Sequence, residues 1–406
     1  MISNSYTMTD SLRSYYDGVI QVSRRAYRVF QDEEKKPKDI ELADIVIDVD
    51  FHPIKNIVAA GTIEGEIIVY SYSCDPAKDN KELQKSKHHK KSCRSLRFSP
   101  SGEELHSVSK DKSIKSLDLN TGKLKRKIKK AHESPIYSIC VTGENFIATG
   151  DDDGTLKVWD LRKKTAVMEL KQNDDFISDM AIDSHRKILL ATSGDGTLTA
   201  FNIRKRQMEL QSELFDSEFL SVAIVKEEKK VVCGCGNGEL NIFNWSEWGN
   251  ISDRFPGHPL SIDCMVAITE DIICTGSCDG MIRAVSILPN RFLGIVGIHE
   301  EEFPIENLSL SWDRSLLASC SHDTLIKFWD IEDVKSEIVD TSKKAKKTNK
   351  PKFLSSAKKD DFFADLADED DKKCENTDDE EEDTDDGDEN STDQDDSDEG
   401  TSDDKT

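Results

Sequence analysis

Strand-length apolar runs, most of them alternating with polar residues, recur along the chain, and each ends in a bulky residue followed by a small polar one. The seven endings read IIVYSY, SIKSLDL, LKVWDL, LTAFNI, LNIFNW, IRAVSI and IKFWDI, with aligned positions at Tyr70, Leu117, Trp159, Phe201, Phe243, Val285 and Trp329. Successive steps are 47, 42, 42, 42, 42 and 44 residues. Such constancy marks an internal repeat rather than a set of loosely similar strands. Six residues before the aligned positions stand Glu64, Asp111, Asp153, Asp195, Asn237, Asp279 and Asp323, and five of these turns continue with Gly65, Gly154, Gly196, Gly238 and Gly280. An Asx-Gly pair between two apolar runs is a strong hairpin signal. Further upstream in four units, His89, His132, His258 and His299 precede a period-two strand such as SPIYSICV. Each unit therefore predicts three strands and the beginning of a fourth, and the chain as a whole is expected to be all-β.

These features resemble the WD-repeat family, whose units of about 40–45 residues fold as four-stranded propeller blades. The resemblance runs from about Asp39 to Val334 and implies a seven-bladed β-propeller over 39–340. Either DIELAD (Asp39 to Asp44) or SEIVDT (Ser336 to Thr341) is expected to supply the outer strand that closes the ring. The resemblance also implies a buried hydrogen-bond relay in the third unit, made by His132, Thr149, Asp153 and Trp159, and in the seventh, made by His299, Ser319, Asp323 and Trp329. In such a relay the indole donates to the hydroxyl, the hydroxyl to imidazole and the imidazole to the carboxylate. A buried polar chain is tolerated when every member is satisfied, and it then fixes one loop geometry. The second unit (His89, Ser107, Asp111) and the sixth (His258, Thr275, Asp279) keep the first three members and lack the Trp. The fourth and fifth lack the His, with Asn173 near its place in the fourth. Because the His–Asp pair recurs and no nucleophile is singled out beside it, a structural role is expected and a catalytic one is not.

Other chemical look-alikes fail on context. GSCDG (Gly276 to Gly280) falls in a strand–strand turn, whereas a nucleophile elbow needs a strand-to-helix turn. GCGNG (Gly234 to Gly238) has no following helix to cradle a phosphate. The pairs Cys233/Cys235 and Cys274/Cys278 lack ligand spacing and are expected as small strand thiols. In KSKHHKK, one of His88 and His89 fits the repeat register and the other is expected in solvent. No enzyme, cofactor or metal site is expected. No apolar run approaches the ~18 residues of a membrane-spanning helix. The ten cysteines, without a secretory leader, suit a reducing compartment.

Charge changes the picture outside the repeats. The formal net charge is −25, yet residues 360–406 alone carry −22 and residues 335–359 carry +7. The chain is read as an N-terminal leader (1–38), the propeller (39–340), a basic linker (341–359) and an acidic tail (360–406) too poor in apolar residues to fold. In the leader, Leu12, Tyr15, Tyr16, Val19, Ala26, Tyr27 and Phe30 follow helical spacing among arginines, which suits a frayed, disordered leader or a helix docked on the ring better than a mitochondrial address interrupted by Asp10, Asp17 and Gly18. Lys343, Lys344, Lys346 and Lys347 form a nuclear-import pattern. DDFFADL (Asp360 to Leu366) is expected either as an amphipathic peptide that docks in a groove or as a loosely packed appendage. Together with ATGDDDG, ASCSHD, AVSILPNR, SDRF and SIDCMV, that peptide resembles one nucleolar branch of the WD-repeat family. This narrower resemblance implies nuclear and nucleolar location, ribosome-assembly proteins or pre-ribosomal particles as partners, and a scaffold role in ribosomal RNA production. The competing expectation is a substrate receptor of a cullin–RING ubiquitin ligase. For that role WDLR (Trp159, Asp160, Leu161, Arg162) would meet the adaptor, since it resembles the box that such adaptors read. The basic run GKLKRKIKK (Gly122 to Lys130) is expected either to meet RNA or an acidic partner, or to protect an edge strand.

Overall fold

The computed structural model describes residues 36–75, 77–163, 165–300 and 303–337. By internal contacts the chain divides into residues 1–343 and 344–406, and every described residue belongs to the first part. The import lysines Lys343, Lys344, Lys346 and Lys347, the acidic tail with DDFFADL, and most of the leader lie outside the described residues.

The described part is a seven-bladed β-propeller of four-stranded antiparallel sheets. Blade one contains β2 (Val46–Phe51), β3 (Ile57–Thr62), β4 (Glu66–Ser71) and β5 (Lys81–Lys87); blade two contains β6 (Cys93–Phe98), β7 (Glu104–Ser109), β8 (Ile114–Asp118) and β9 (Lys123–Ile128). Blades three to six follow in the same manner as β10–β13, β14–β17, β18–β21 and β22–β25, over residues 136–298. Blade seven takes β26 (Ile305–Leu310), β27 (Leu316–Ser321) and β28 (Leu325–Asp330) from the C-terminal side, and β1 (Ile40–Glu41) from the N-terminal side. Of the two candidate closing segments it is thus DIELAD that pairs, with Ile40 opposite Ile326 and Glu41 opposite Leu325. The chain after β28 instead turns into a single helical turn, α1 (Glu332–Lys335), whose Val334 is fully buried.

Burial follows from this stacking. The second strand of a blade is covered on both faces by its neighbours, so β7 (ELHSVS) and β27 (LLASCS) are buried at every position. Outer strands keep one face in water, and β9 (KLKRKI) alternates strictly between exposed and half-buried. The apolar clusters straddle blade junctions. One joins Val108 and Ile114 of blade two to Ile136, Ile147 and Trp159 of blade three, and another joins Ile40, Leu42 and Phe328 to Val49, Phe51 and Val58 of blade one.

Every inner strand enters its blade with a β-bulge. The register shifts between Val46 and Asp48, and likewise at 93/95, 136/138, 177/179, 219/221, 262/264 and 305/307. A bulge leaves one residue unpaired and re-aims its side chain. The unpaired residues are Ile47, Arg94, Tyr137, Ser178, Leu220, Asp263 and Glu306, one per blade, and all seven line a cavity of about 700 Å³ bounded by the inner strands.

Candidate functional site

The relay of blade three is assembled from its second and third strands and the loop before its first. Trp159 on the third strand donates its indole N–H to Thr149 Oγ1 at 2.9 Å, and Thr149 lies 2.7 Å from His132 Nε2. His132 Nδ1 then meets Asp151 Oδ2 at 2.8 Å. The acid is therefore Asp151 and not Asp153. Strand β11 (Phe146–Asp151) runs up to Asp151, which is 1% exposed and also accepts the backbone N–H groups of Asp153 and Thr155. Asp153 sits one step out, exposed on the turn, with Ser134 as its hydroxyl donor. Burial works against the Asp151 carboxylate, but the bonds from His132 and the Thr155 N–H hold it below the usual carboxylate range.

Blade seven brings the expected four residues together. Trp329 Nε1 is 2.8 Å from Ser319 Oγ, Ser319 is 2.6 Å from His299 Nε2, and His299 Nδ1 is 2.7 Å from Asp323 Oδ2. Burial keeps the His299 imidazole below its ordinary pKa, so it is neutral at pH 7 with Nδ1–H donating to the carboxylate. In blade two His89 meets Ser107 at 2.8 Å and Asp111 at 3.3 Å, while Leu117 occupies the Trp position. In blade six the set separates. His258 Nε2 keeps Thr275 at 2.9 Å, but Asp279 forms a forked pair with Arg283 at 3.0 and 2.6 Å, leaving His258 Nδ1 buried without a partner. Arg283 takes Asp279 because a buried guanidinium needs a carboxylate more than a neutral imidazole does. Burial and that guanidinium depress His258 to about 3. In blade four Asn173 replaces the imidazole and donates to Thr197 and Thr199 at 2.8 and 3.1 Å.

The look-alike motifs fall into turns and strands. Ser277 to Gly280 is the turn between the second and third strands of blade six, and Gly238 closes the equivalent turn of blade five at φ +81°. Burial pushes the Cys235 thiol up to about 12 and raises Cys233 well above the ordinary thiol value, which leaves both protonated at neutral pH. His88 is half-buried and not in solvent, with Nε2 unpartnered. Among the described residues no group of three His, Cys, Asp or Glu side chains is placed to hold a metal ion, and no helix is long and apolar enough to cross a membrane.

In the WDLR box, Asp160 is buried and Arg162 is 59% exposed. The guanidinium forks onto Asp160 at 2.8 and 2.9 Å and lies 5.4 Å from the Phe146 ring, and its bonds hold Asp160 down to about 2.

The axial channel is the site that sequence reasoning passed over. Asp48 on β2, 2% exposed, accepts from Ser95 Oγ, Leu96 N and Arg97 Nη1 of blade two at 2.6–2.7 Å, and from Asn307 Nδ2 of blade seven. Asp50 accepts from Phe98 N and Ser309 Oγ at 2.8 and 3.1 Å, and burial lifts it to about 6. These carboxylates clip blades seven, one and two. Asp263, also raised to about 6 by burial, and Glu306, beside His322 at 2.6 Å, form an acidic half of the mouth. Across it Arg94 lies 5.1 Å from the Tyr137 ring. A signal was present: polar or small residues at 48, 95, 138, 179, 221, 264 and 307 repeat at about the blade period.

Comparison with known proteins agrees with this architecture. The WDR55 family profile matches residues 37–334. A Danio rerio WD repeat-containing protein 55 is 56% identical over 350 residues, spanning 84% of this chain and 90% of the relative. The Bos taurus and Homo sapiens proteins of the same name are 46% and 45% identical over 336 residues, spanning 82% of this chain and 87% of each relative.

Proposed function

Since the chain belongs to the WD repeat-containing protein 55 family, we propose that it acts as a non-enzymatic nucleolar scaffold, holding ribosome-assembly proteins or pre-ribosomal particles during ribosomal RNA production. The observation that carries this reading is the fate of its chemistry-bearing residues. The imidazoles of blades three and seven each lie between a hydroxyl and a carboxylate inside a closed relay. Spent in this way, they brace the loops, and the loop faces are left as binding surfaces. Affinity purification of the full chain, with identification of bound proteins and RNA and sedimentation against pre-ribosomal particles, tests the reading. Co-sedimentation is expected, and a chain recovered free of such particles overturns it. Alanine at Lys343, Lys344, Lys346 and Lys347 is expected to move the chain out of the nucleus.

The second reading, a receptor for a cullin–RING ligase, is favoured by one observation: Arg162 is exposed and pre-oriented by Asp160. A forked guanidinium makes contacts that lysine cannot. Under that reading Arg162→Lys abolishes capture of the ligase adaptor; under the scaffold reading it leaves particle association intact.

A further inference from the structure

The outer strands of blades one and two carry more cations than those of the other blades. The two, KELQKSK and KLKRKI, hold three lysines, and three lysines and an arginine. The outer strands AVMELK, QMELQ, EWGNISDRF and RFLGIVGI hold at most one cation each. Protection of an exposed edge by lysine is therefore not something this ring requires, and it does not account for the concentration.

Beside this rim, three loops join through hydrogen bonds. Lys110 N donates to Ser92 O at 3.2 Å, Ser109 Oγ to Lys91 O at 3.2 Å, and Ala131 N to Lys112 O at 2.8 Å. The loops present Lys90, Lys91, Lys110, Lys112, Lys129 and Lys130. Lys112 donates to the Glu133 carbonyl. The other five are exposed, and none of them makes an ion pair among the described residues. The surrounding carboxylates are already engaged. Asp111 serves His89 and the Lys90 N–H, Glu104 takes Lys125 and Arg126, and Glu64 and Glu66 take Lys87 and Lys85. Only Glu133 stands exposed among the loops as an acid without an ion pair. Beneath them Lys115, 2% exposed, pairs with Asp111 at 3.6 Å and donates to His88 O.

We propose that these loops and the adjoining rim bind the phosphate backbone of a nucleic acid. Clustered, unpaired ammonium groups suit a repeating phosphate charge and gain affinity by counterion release. Protein–protein interfaces are depleted in lysine and anchored by aromatic residues and arginine. Here Leu83 is the one large apolar side chain that stands exposed on these strands and loops. Without an aromatic platform on which bases would stack, binding tolerates any sequence. The proposal rests on the scaffold reading for its setting and names the chemistry of one partner.

The test uses the full chain with labelled single-stranded RNA, single-stranded DNA of the same sequence, and polyglutamate, each titrated against salt. Both nucleic acids are expected to bind at least tenfold more tightly than polyglutamate, and a preference between them identifies the natural source. Alanine at Lys90, Lys91, Lys110, Lys129 and Lys130 should weaken binding at least tenfold and reduce the salt slope by about 3–4, at ~0.7 for each phosphate no longer neutralised. Arginine at the same five positions should preserve binding. To separate this patch from positive charge elsewhere in the chain, the control removes five exposed lysines elsewhere on the ring (Lys163, Lys171, Lys187, Lys205 and Lys229). An alanine variant with an unchanged slope, or one no weaker than the control, overturns the proposal, as does equal affinity for polyglutamate. Thermal melting confirms folding of each variant, and Lys90→Gln with Lys91→Gln repeats the comparison should the fivefold variant melt early. An unsubstituted chain that associates with particles but binds neither nucleic acid defeats this proposal alone; one that binds RNA through these lysines without particle association defeats the scaffold reading alone.

Discussion

Asp151 and Asp153 stand two residues apart, one buried against an imidazole and the other exposed on a turn. Asp151→Ala should cost about 2–4 kcal/mol, since it orphans His132 and two backbone donors, whereas Asp153→Ala should stay within about 0.5–1 kcal/mol. Urea unfolding of the two variants checks the order, and the reverse order would mean that the relay ends at Asp153. The sequence named His132, Thr149 and Trp159 correctly as neighbours, but the run DDD offers three carboxylates, and fixed repeat spacing picks the wrong one. The acid lies two residues after the hydroxyl in blade three and four after it in blade seven, a difference of turn path that composition does not encode. Asp279 departs from the relay for another reason, because Arg283 competes for it. A pH effect follows from His258. Its folded pKa of about 3 lies below the unfolded value near 6.5. Between these values the unfolded chain binds more protons, so stability falls as pH drops from about 6.5 toward 3. His106, depressed by burial to about 4, acts with the same sign, while Asp50, raised to about 6, acts with the opposite sign and loses its contribution as pH rises from about 4 to 6. His258→Gln should flatten the acid-side slope in a series of melts from pH 7 to 4; an unchanged slope would show that His258 does not bear it.

At the scale of the strand and turn, the 42-residue step was legible because each blade repeats the same hairpin. Gly65, Gly154, Gly196, Gly238 and Gly280 all adopt φ between +75° and +81°. Lys112 and Thr324 take φ +64° at the same place in blades two and seven, so the turn geometry persists without glycine. Gly154 is the tightest of these turns, since a Cβ there would lie 2.1 Å from Asn173 O. Gly154→Ala should destabilise by about 2–3 kcal/mol, and calorimetry of that variant checks it. The closing strand was not legible. DIELAD and SEIVDT are equally short and similar in apolar content, and the choice depends on which reaches the free edge of β28. With Ile40 5% and Leu42 7% exposed, replacing both by serine should cost about 3–5 kcal/mol. It should also free that edge to pair with other molecules, an effect read as self-association on size exclusion.

Across the whole molecule, the apolar clusters belong to pairs of blades rather than to single ones. Inner-strand bonds continue the linkage: Ser138 to Ile177 O, Ser178 to Phe219 O, Ser221 to Ile262 O and Cys264 to Ile305 O. Unfolding of the ring is therefore expected as one cooperative transition. Limited proteolysis should trim the chain toward roughly 39–340 and stall there; a stable fragment ending near residue 200 would contradict a closed ring. The pairing of β1 with β28 bears on how the protein is made. Ile40 leaves the ribosome 286 residues before its partner Ile326, an interval of about 15–60 s at ordinary elongation rates. Throughout that interval the nascent ring lacks its clasp and a sticky strand waits near its leading end. A message cut short anywhere before β28 thus yields an array of blades that cannot lock, with a spare strand free to invade a neighbouring polypeptide. Quality control of this protein is accordingly decided in the last few dozen codons of the propeller, when the earliest strand first finds its place.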